Sequence, residues 1–554
     1  MKITCSNRTI DMEAGVTVMQ CLLALQAPTE GVLAVRQGGM VLELTDNVRR
    51  GGEMIPITYR DEEGRRIYER SLRFMALLAI RRVLPGKKAC IEYSVGGGVL
   101  LRIAGHELTW AECSAIREDM TRLIQADLPF DKREWSLDDA IAYFEADGQM
   151  DKVGLLQRRT VPFFNMYGLR TPEGDEMWEY FYGAMTPSTG YVRCFDVEHL
   201  PGRGMALLLP DAAAPDRAAT YIDRPKHLRV FDQSRAWCGI LGVTHASQLD
   251  ELIETRRLRA FIRVNEALHA KAIDEIADVI AARGRRIILI AGPSSSGKTT
   301  FTGRLAIALR VLGYRPVQLS LDNYYRNRAD LPVEADGTVD LEGLHTIDVP
   351  LFRTHMMQLM QGETVEIPRF SFHRGEREAQ GDPVTLQPGQ PVLIEGIHGL
   401  NPDLSAGLPE ELIHRVFVSA LTCINLDDHN RIRTTDVRLL RRIVRDMQFR
   451  GTPPEETLAM WPSVRRGEET WIFPHQERAD SMFNTALHYE LPVLKRHAYA
   501  LLRAIKPDNP DYLTARRLVK MLNYVTEAPE DVLDEIPPLS LLREFIGGCT
   551  IDKE

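Results

Sequence analysis

The chain has 554 residues, of which 44% are hydrophobic and 26% charged, and its formal net charge is −9. This composition is ordinary for a soluble protein of about three or four domains, and the acidic balance gives no general attraction to nucleic acid or anionic membranes. No apolar run in the sequence is long enough to span a bilayer, and the first residues lack the apolar core of a secretory signal peptide. The eight cysteines form no C-x-x-C pair. We therefore expect a cytoplasmic protein with reduced thiols.

The amino-terminal residues predict a small β-rich domain. Residues 1–60 alternate short apolar runs with turn signals around one helical segment, 18–25, which favours a β-grasp-like arrangement. A helix is expected over 66–83, because Pro85 follows directly after its last apolar turn. The whole of 61–225 mixes strands and helices without a repeat, as an α+β domain does.

The carboxyl-terminal half has a different organisation. Residues 226–284 look mainly helical, with one long helix over 247–282, and predict a helical linker. Residues 285–505 alternate strands and helices, which predicts a parallel α/β sheet. The tail, 506–554, contains proline-bearing turns and one short helix.

The most informative segment is 292–300, which reads Gly-Pro-Ser-Ser-Ser-Gly-Lys-Thr-Thr and matches G-x-x-x-x-G-K-[ST]. An apolar strand, 287–291, precedes it and a helix, 301–311, follows it, as a phosphate-binding loop requires. The backbone N–H groups of such a loop point at polyphosphate oxygens. Lys298 is expected to reach the β- and γ-phosphates of ATP, and Thr299 to ligate Mg²⁺. The predicted ATP-binding residues are Gly292, Ser294, Ser295, Ser296, Gly297, Lys298, Thr299 and Thr300.

Two acidic residues end the next predicted strands, where ligands of open parallel sheets bind. Asp322 follows the strand 317–321 and is placed to accept the proton of an attacking hydroxyl or to hold Mg²⁺. A helix cap is the alternative role for this residue. Glu395 ends the strand 391–395 and is a candidate metal ligand. The predicted metal site therefore consists of Thr299, Glu395 and Asp322.

A row of four arginines is the strongest further signal. Spaced at i, i+3, i+4 and i+7 on one helical face, they are Arg438, Arg441, Arg442 and Arg445. Like charges this close cost stability unless anions lie among them, and a triphosphate is a suitable counter-charge. A solvated basic helix is the alternative interpretation.

Together these motifs resemble those of the uridine kinase and phosphoribulokinase family. The segments that carry the resemblance occur in the family's order and are 292–300, 320–325, 340–342, 367–372, 393–396 and 441–446. The resemblance implies a P-loop NTPase sheet, ATP and Mg²⁺ as cofactors, and phosphoryl transfer to a nucleoside hydroxyl. It implies that Asp322 is the general base and that Lys298, Arg442 and Arg445 act on the transferring group. Nucleoside binding by Tyr325 and Glu342 is implied as well.

The chain departs from the family where the base is held. The family's tyrosine and histidine correspond here to Phe370 and Gly375, while His373 lies two residues away. Thr452 and Met460 stand where the family has an arginine and a glutamine near the base. Buried hydrogen-bond partners decide such discrimination, so the departures imply that pyrimidine selection is altered or lost. The candidate substrate-binding residues are Tyr325, Glu342, Phe370 and His373.

The front of the chain resembles a different family. Residues 1–60 resemble the TGS domain of threonyl-tRNA synthetases, and residues 61–225 resemble the editing domain that follows it there. The synthetase helix carries H-x-x-x-H, and those positions here are Arg70 and Phe74. The later cysteine and histidine pair is not reproduced either. The resemblance therefore implies a degenerate editing domain that binds RNA, regulates the rest of the chain or mediates assembly.

Three functions stay open on the sequence. The first is a kinase acting on a nucleoside or nucleoside-like molecule, the second a kinase acting on RNA, tRNA or a modified nucleoside, and the third a nucleotide-dependent regulator with little turnover. The presence of Lys298, Asp322 and Glu395 favours an enzyme, because a protein that only binds nucleotide has no need of Asp322. A homo-oligomer is an open alternative, and no membrane partner is expected.

Overall fold

The computed structural model describes residues 1–159, 161–333 and 339–551. The first 60 residues form two three-stranded sheets and one capped helix. The strands are Lys2–Cys5, Arg8–Asp11, Val32–Gln37, Met40–Glu43, Gly52–Glu53 and Ile55–Thr58, and the helix is Val18–Ala24. The expected mixture of short strands and a single helix is present, and its assignment to the β-grasp class stays a prediction.

A long buried helix, Glu62–Val83, lies at the centre of the next region. Its apolar residues share one cluster with residues of two antiparallel sheets. The strands are Ala89–Val95, Gly98–Ile103, Asp196–Leu200 and Gly204–Leu208 in one sheet and Asp131–Ser136, Phe163–Arg170 and Glu176–Glu179 in the other; the further helices are Trp110–Ala126, Leu137–Ala146 and Met150–Leu156. This region is therefore α+β.

Three helices connect this region to the parallel sheet: Pro225–Leu241, Ala246–Glu254 and Leu258–Ala282. The prediction of one continuous helix over 247–282 is wrong, because the chain leaves the helical conformation at Arg256, whose φ is +57°. Residues of the third helix pack in the same apolar cluster as the strand and helix that flank the phosphate-binding loop.

A five-stranded, wholly parallel sheet confirms the predicted α/β organisation of the carboxyl-terminal half. In spatial order its strands are Val317–Ser320, Val392–Glu395, Ile287–Ala291, Ile413–Ser419 and Ser481–Asn484. The strand before the phosphate-binding loop is thus central in the sheet, and a parallel strand pairs with each of its two edges. Crossover connections bring the carboxyl ends of all five strands to one edge, where ligands bind in such sheets.

Helices cover both faces of this sheet, and short hairpins extend from it. The helices are Lys298–Val311, Val349–Met360, Pro402–Ser405, Thr434–Phe449, Pro454–Gly467 and Glu490–Ala504. The hairpin strands are Thr364–Ile367 with Asp382–Thr385, Phe370–Ser371 with Glu376–Arg377, and Asn425–Asp427 with Asn430–Arg431. Among the described residues, none of the helices has both the length and the apolar content needed to cross a membrane.

The tail returns to the body of the protein. Its helices are Tyr512–Leu522 and Arg543–Ile546, and Leu541, Leu542 and Phe545 are fully buried in the main apolar cluster. Burying such side chains stabilises the folded state by roughly 1.5–3 kcal/mol each. The tail is therefore an integral part of the core around the phosphate-binding loop.

A buried ionic network joins the front region to the half that contains the parallel sheet. Lys152 Nζ lies 3.1 Å from Glu179 Oε1 and 3.0 Å from Asp427 Oδ1, and all three side chains are at most 2% exposed. His429 Nδ1 lies 2.5 Å from the second oxygen of Glu179. Lys152 and His429 hold the pKa of Glu179 at about 2 against the opposing effect of burial. Charged groups this deep are tolerated because each has an opposite charge at contact distance.

Replacing Lys152 by methionine should destabilise the protein strongly. The change keeps the side-chain volume but leaves the carboxylates of Glu179 and Asp427 buried without their cation, which costs roughly 3–5 kcal/mol. The free energy of unfolding from urea titration measures the effect. Lys271→Met, at an exposed lysine, is the matched control. A Lys152→Met protein as stable as this control would show that the network does not hold the two regions together.

Candidate active site

The phosphate loop, defined as residues 292–300, has the backbone of a tight strand-to-helix turn. A Cβ on Gly292 would lie 2.0 Å from the carbonyl oxygen of Val418, so only glycine fits there. Ser295 and Gly297 adopt left-handed conformations, with φ of +56° and +85°. Such alternation of backbone conformation produces an anion-binding concavity ahead of the helix.

Several donors of the phosphate loop fit a polyphosphate. The hydroxyls of Ser295 and Ser296 are buried and have no hydrogen-bond partner within the described chain. Lys298 Nζ contacts the carbonyl oxygen of Pro293 at 3.3 Å. Buried hydroxyls are normally hydrogen-bonded, so these orphaned groups indicate a polar ligand, and the ionised triphosphate of ATP offers acceptor oxygens.

Two carboxylates accept hydrogen bonds from other donors of the phosphate loop. Glu468 accepts a hydrogen bond from the Ser294 N–H at 3.0 Å, and Glu544 accepts from the Thr300 N–H at 3.1 Å and from its hydroxyl at 2.9 Å. Sequence reasoning missed both, because they lie 174 and 244 residues downstream and no pattern links them to the loop. A phosphate entering the loop therefore competes with acidic side chains of the protein itself.

The first two arginines of the row hold the phosphate loop in place. Arg438 donates to the Ser294 carbonyl at 2.9 Å and pairs with Glu468, while Arg441 pairs with Glu490 at 2.6 Å. Arg438 and Arg441 are at most 1% exposed. The expectation that a triphosphate neutralises the whole row is wrong for these two, since protein carboxylates already do so.

The other two arginines of the row share Asp446 as their acidic partner. Arg442 Nη1 donates to the Ser294 hydroxyl at 2.9 Å, and its Nε lies 3.2 Å from Asp446. Arg445 Nη2 lies 2.9 Å from the same aspartate. The structure thus brings Arg442 against the phosphate loop, whereas the contacts of Arg445 are with Asp446.

The acidic residues gather beside Lys298. Thr299 Oγ1 lies 3.3 Å from Glu395 Oε1. Burial raises the pKa of Asp322, and the charge of Lys298 acts against this rise. Burial and the charge of Asp322 raise the pKa of Glu395 to about 7. One hydroxyl and two carboxylates at this edge are oxygen ligands of the kind Mg²⁺ takes, so the residues fit the predicted metal site.

An aromatic cluster stands next to these acids. The ring of Tyr325 lies 5.5 Å from that of Phe370 and 5.9 Å from that of Phe372, measured between centroids. Burial and the charge of Asp322 raise the pKa of the Tyr325 hydroxyl. His373 is exposed on the hairpin turn, and no described contact joins it to Tyr325 or Phe370, whereas the ring of Phe372 lies beside that of Tyr325.

Glu342 lies near this aromatic wall, since its charge contributes to the raised pKa of the Tyr325 hydroxyl. Burial raises the pKa of Glu342 to about 7, although the guanidinium of Arg442 opposes the shift. Its backbone N–H donates to Asp340 at 2.9 Å, and Gly467 packs so closely that a Cβ there would lie 2.4 Å from the Cβ of Glu342. The carboxylate is thus held by local contacts at the edge of the site.

The position of the family's base-binding histidine is taken here by a glycine in a left-handed conformation, where a side chain would be strained. Gly375 has a φ of +72°, and a Cβ on it would lie 2.7 Å from Cδ of Arg328. Arg377 fixes the same hairpin, donating to the carbonyl oxygens of Tyr325 at 2.9 Å and Tyr324 at 3.0 Å. The hairpin is therefore rigidly placed but offers no imidazole at this point.

Comparisons with known proteins match the part of the chain that contains this site. The family model described as Phosphoribulokinase / Uridine kinase family matches residues 287–489. A uridine kinase of Deinococcus deserti is 33% identical over 196 residues, which are 35% of this chain and 84% of that protein. A solved structure of a possible uridine kinase from Bacillus stearothermophilus shows 19% identity and a TM-score of 0.27, and the match covers 39% of this chain and 98% of the other.

A second kind of relative is a threonine–tRNA ligase of Carboxydothermus hydrogenoformans, 25% identical over 173 residues. These residues are 30% of this chain and only 25% of the ligase. The assignments of a TGS domain and an editing domain therefore stay predictions. At the two positions where the synthetases carry histidines, Phe74 is buried against Phe130 and Arg70 is paired with Glu63.

The pKa of Glu342 gives a test of the site's electrostatics. The folded pKa of about 7 exceeds the ordinary value of 4.5, so folding favours the protonated acid and its contribution to stability is lost as the pH rises through 7. Glu342→Gln should therefore stabilise the protein by about 1–3 kcal/mol near pH 8 and leave stability unchanged near pH 4.5.

Urea unfolding at both pH values measures this difference, with Glu363→Gln, at an exposed glutamate, as the control. The electrostatic account fails if Glu342→Gln and the control change stability equally at the higher pH.

Proposed function

We propose that this chain, which belongs to the Phosphoribulokinase / Uridine kinase family through residues 287–489, transfers the γ-phosphoryl group of ATP to a hydroxyl of a nucleoside or nucleoside-like acceptor. The observation that carries the proposal is that Lys298, Asp322 and Glu395 lie close together at one edge of the parallel sheet. The charge of Lys298 opposes the rise in the pKa of both acids. In phosphoryl transfer the protein mainly positions the reactants and stabilises charge, and these residues suit both tasks.

On the donor side, the phosphate loop holds the polyphosphate through its N–H groups and through Lys298. Thr299 and Glu395 hold Mg²⁺, which when bound neutralises charge on the β- and γ-phosphates. Arg442, which already contacts the Ser294 hydroxyl, supplies a further positive charge beside the transferring group.

On the acceptor side, Asp322 takes the proton of the attacking hydroxyl while the hydroxyl oxygen forms its bond to the γ-phosphorus and the bond to the leaving ADP breaks. Burial raises the pKa of Asp322 above its ordinary value, which makes it a stronger base than an exposed aspartate. Tyr325, Phe370 and Phe372 offer an aromatic wall for a planar base, and Glu342 is placed to accept hydrogen bonds from sugar hydroxyls.

The identity of the base is where this chain differs from a uridine kinase. A pyrimidine presents hydrogen-bonding groups along one edge, and a pocket that lacks partners for them loses discrimination. Because Gly375 offers no side chain and Phe370 no hydroxyl, the acceptor we propose is a nucleoside bound mainly by stacking and by its sugar.

A kinase that acts on RNA is the second candidate, and the ligase match is the observation that favours it. Here the aromatic wall would receive a base at the end or in a loop of an RNA, where bases are free to stack. The net charge of −9 opposes this candidate, because RNA binding depends on cationic contacts with phosphates.

Label transfer from γ-labelled ATP tests both candidates and the role of Asp322. We expect label on a free nucleoside, and Asp322→Asn should lower kcat by roughly 10²–10⁴, because the general base is removed, while ATP binding is kept. Asp330→Asn, at an exposed aspartate near the same loop, is the control.

Three outcomes separate the alternatives. Label on total tRNA but on no nucleoside would select the RNA candidate. Hydrolysis of ATP without any labelled acceptor would overturn the proposed kinase, and an unchanged kcat in Asp322→Asn would remove that residue from catalysis.

Glu544 gives an independent prediction about ATP binding. Its carboxylate bonds to donors of Thr300 that a phosphate would use, so Glu544→Gln removes a competing negative charge. We expect the KM for ATP to fall about three- to tenfold with kcat unchanged. The control is Glu530→Gln, at a tail glutamate whose side chain is 83% exposed. An equal or higher KM in Glu544→Gln would show that the tail does not compete with the nucleotide.

A further inference from the structure

A cavity of about 410 Å³ lies between the front region and the tail helix Tyr512–Leu522. Its volume is within the range of small-ligand sites, which is roughly 300–1,000 Å³. It lies outside the candidate active site. Nine of its 21 lining residues are charged, and six of these are cations: Arg70, Lys132, Arg159, Arg516, Arg517 and Lys520. We call this cavity the cationic pocket.

The three acids of the cationic pocket lie against two of its cations. Lys132 Nζ lies 3.1 Å from Glu43 and 2.7 Å from Asp46. Arg70 lies 2.9 Å from Glu63, the third acid of the lining. Neither of these cations therefore requires a ligand, and no acid of the lining remains for the others.

One further cation of the pocket is paired outside it, and three remain without an acid. Arg517 lies 2.5 Å from Asp436 on the helix Thr434–Phe449. Arg159 donates to two neutral hydroxyls, those of Tyr180 at 2.8 Å and Tyr524 at 2.6 Å, and its guanidinium also lies over the rings of Phe164, Tyr180 and Tyr524. No carboxylate of the described residues pairs with it.

Lys520 and Arg516 complete this set of three cations. Within the described ranges, neither side chain forms a hydrogen bond or an ion pair. Burial and the charges of Arg70, Arg516 and Arg159 lower the pKa of Lys520 to about 8, which shows how close these cations lie. Clustered like charges destabilise a protein unless an anion relieves them.

We propose that the cationic pocket binds a small phosphate-bearing anion, held by Arg159, Arg516 and Lys520. A phosphate monoester carries about −1.5 to −2 charges near neutral pH and several acceptor oxygens, which match three cations that have no acidic partner among the described residues. A carboxylate has one charge and two oxygens and would leave part of the cluster uncompensated. The proposal does not depend on the kinase reaction, and its failure would leave that reaction untouched.

Calorimetric titration with inorganic phosphate and with ribose 5-phosphate tests the proposal. The host is the full chain carrying Lys298→Ala, which weakens phosphate binding at the phosphate loop. In this host we expect saturable binding, and Lys520→Met should weaken it by about tenfold or more, because one charge-assisted hydrogen bond is lost. Lys506→Met, at an exposed tail lysine outside the pocket, should leave the affinity unchanged.

Arg516→Met provides a second variant whose exposed side chain does not affect folding, and it too should weaken binding. Tighter binding of ribose 5-phosphate than of inorganic phosphate identifies a monoester as the ligand, whereas equal affinities identify free phosphate. The proposal is overturned if the host shows no saturable binding, or if Lys520→Met and Arg516→Met bind both probes as tightly as Lys506→Met.

Discussion

The ion pair between Arg438 and Glu468 is the contact on which the geometry of the phosphate loop depends. Both side chains are at most 1% exposed, and each also contacts the backbone of Ser294. Removing two charges from water costs several kcal/mol per ion, so this pair is not an economical source of stability. The pair instead fixes the position of Ser294, because it holds the peptide groups on both sides of this residue through its N–H and its C=O.

The acids of the candidate active site, in contrast, are destabilised in their charged form by burial. Asp322, Glu342 and Glu395 all have raised pKa values, and burial is the largest cause for each. Asp322 and Glu395 also repel one another, since the charge of Asp322 raises the pKa of Glu395, and a cation or a metal ion beside them relieves this repulsion. The large apolar cluster that includes the flanking strand, the three connecting helices and the tail supplies the stability that offsets this strain.

Much of the fold around the site could be predicted from the sequence because its signals are local. A buried apolar run, a glycine-rich turn and an acid at a strand end are properties of a few adjacent residues, and the parallel order of strands follows from alternation with helices. The break at Arg256 could not be predicted, because a non-glycine residue in a left-handed conformation leaves no compositional trace. The contact of Phe372 with Tyr325 was not predicted either, because a shift of one residue along a hairpin changes which side chains share a face, and a substrate contact by His373 stays a prediction.

The contacts of the tail were beyond sequence reasoning for a different reason. Glu544 lies 244 residues from Thr300, and only the folded chain shows that its carboxylate bonds to a phosphate-loop donor. The same tail places Arg517 against Asp436, on the helix that carries the arginine row, and lines the cationic pocket with Lys520. One continuous segment thus contacts the loop, the arginine helix and the front region.

Because Leu541, Leu542 and Phe545 anchor the tail in the core, a shift at any one of these contacts must either be absorbed by side-chain rotation or be passed to the others. The tail is therefore the element through which occupancy of a site on the front region could influence the phosphate loop.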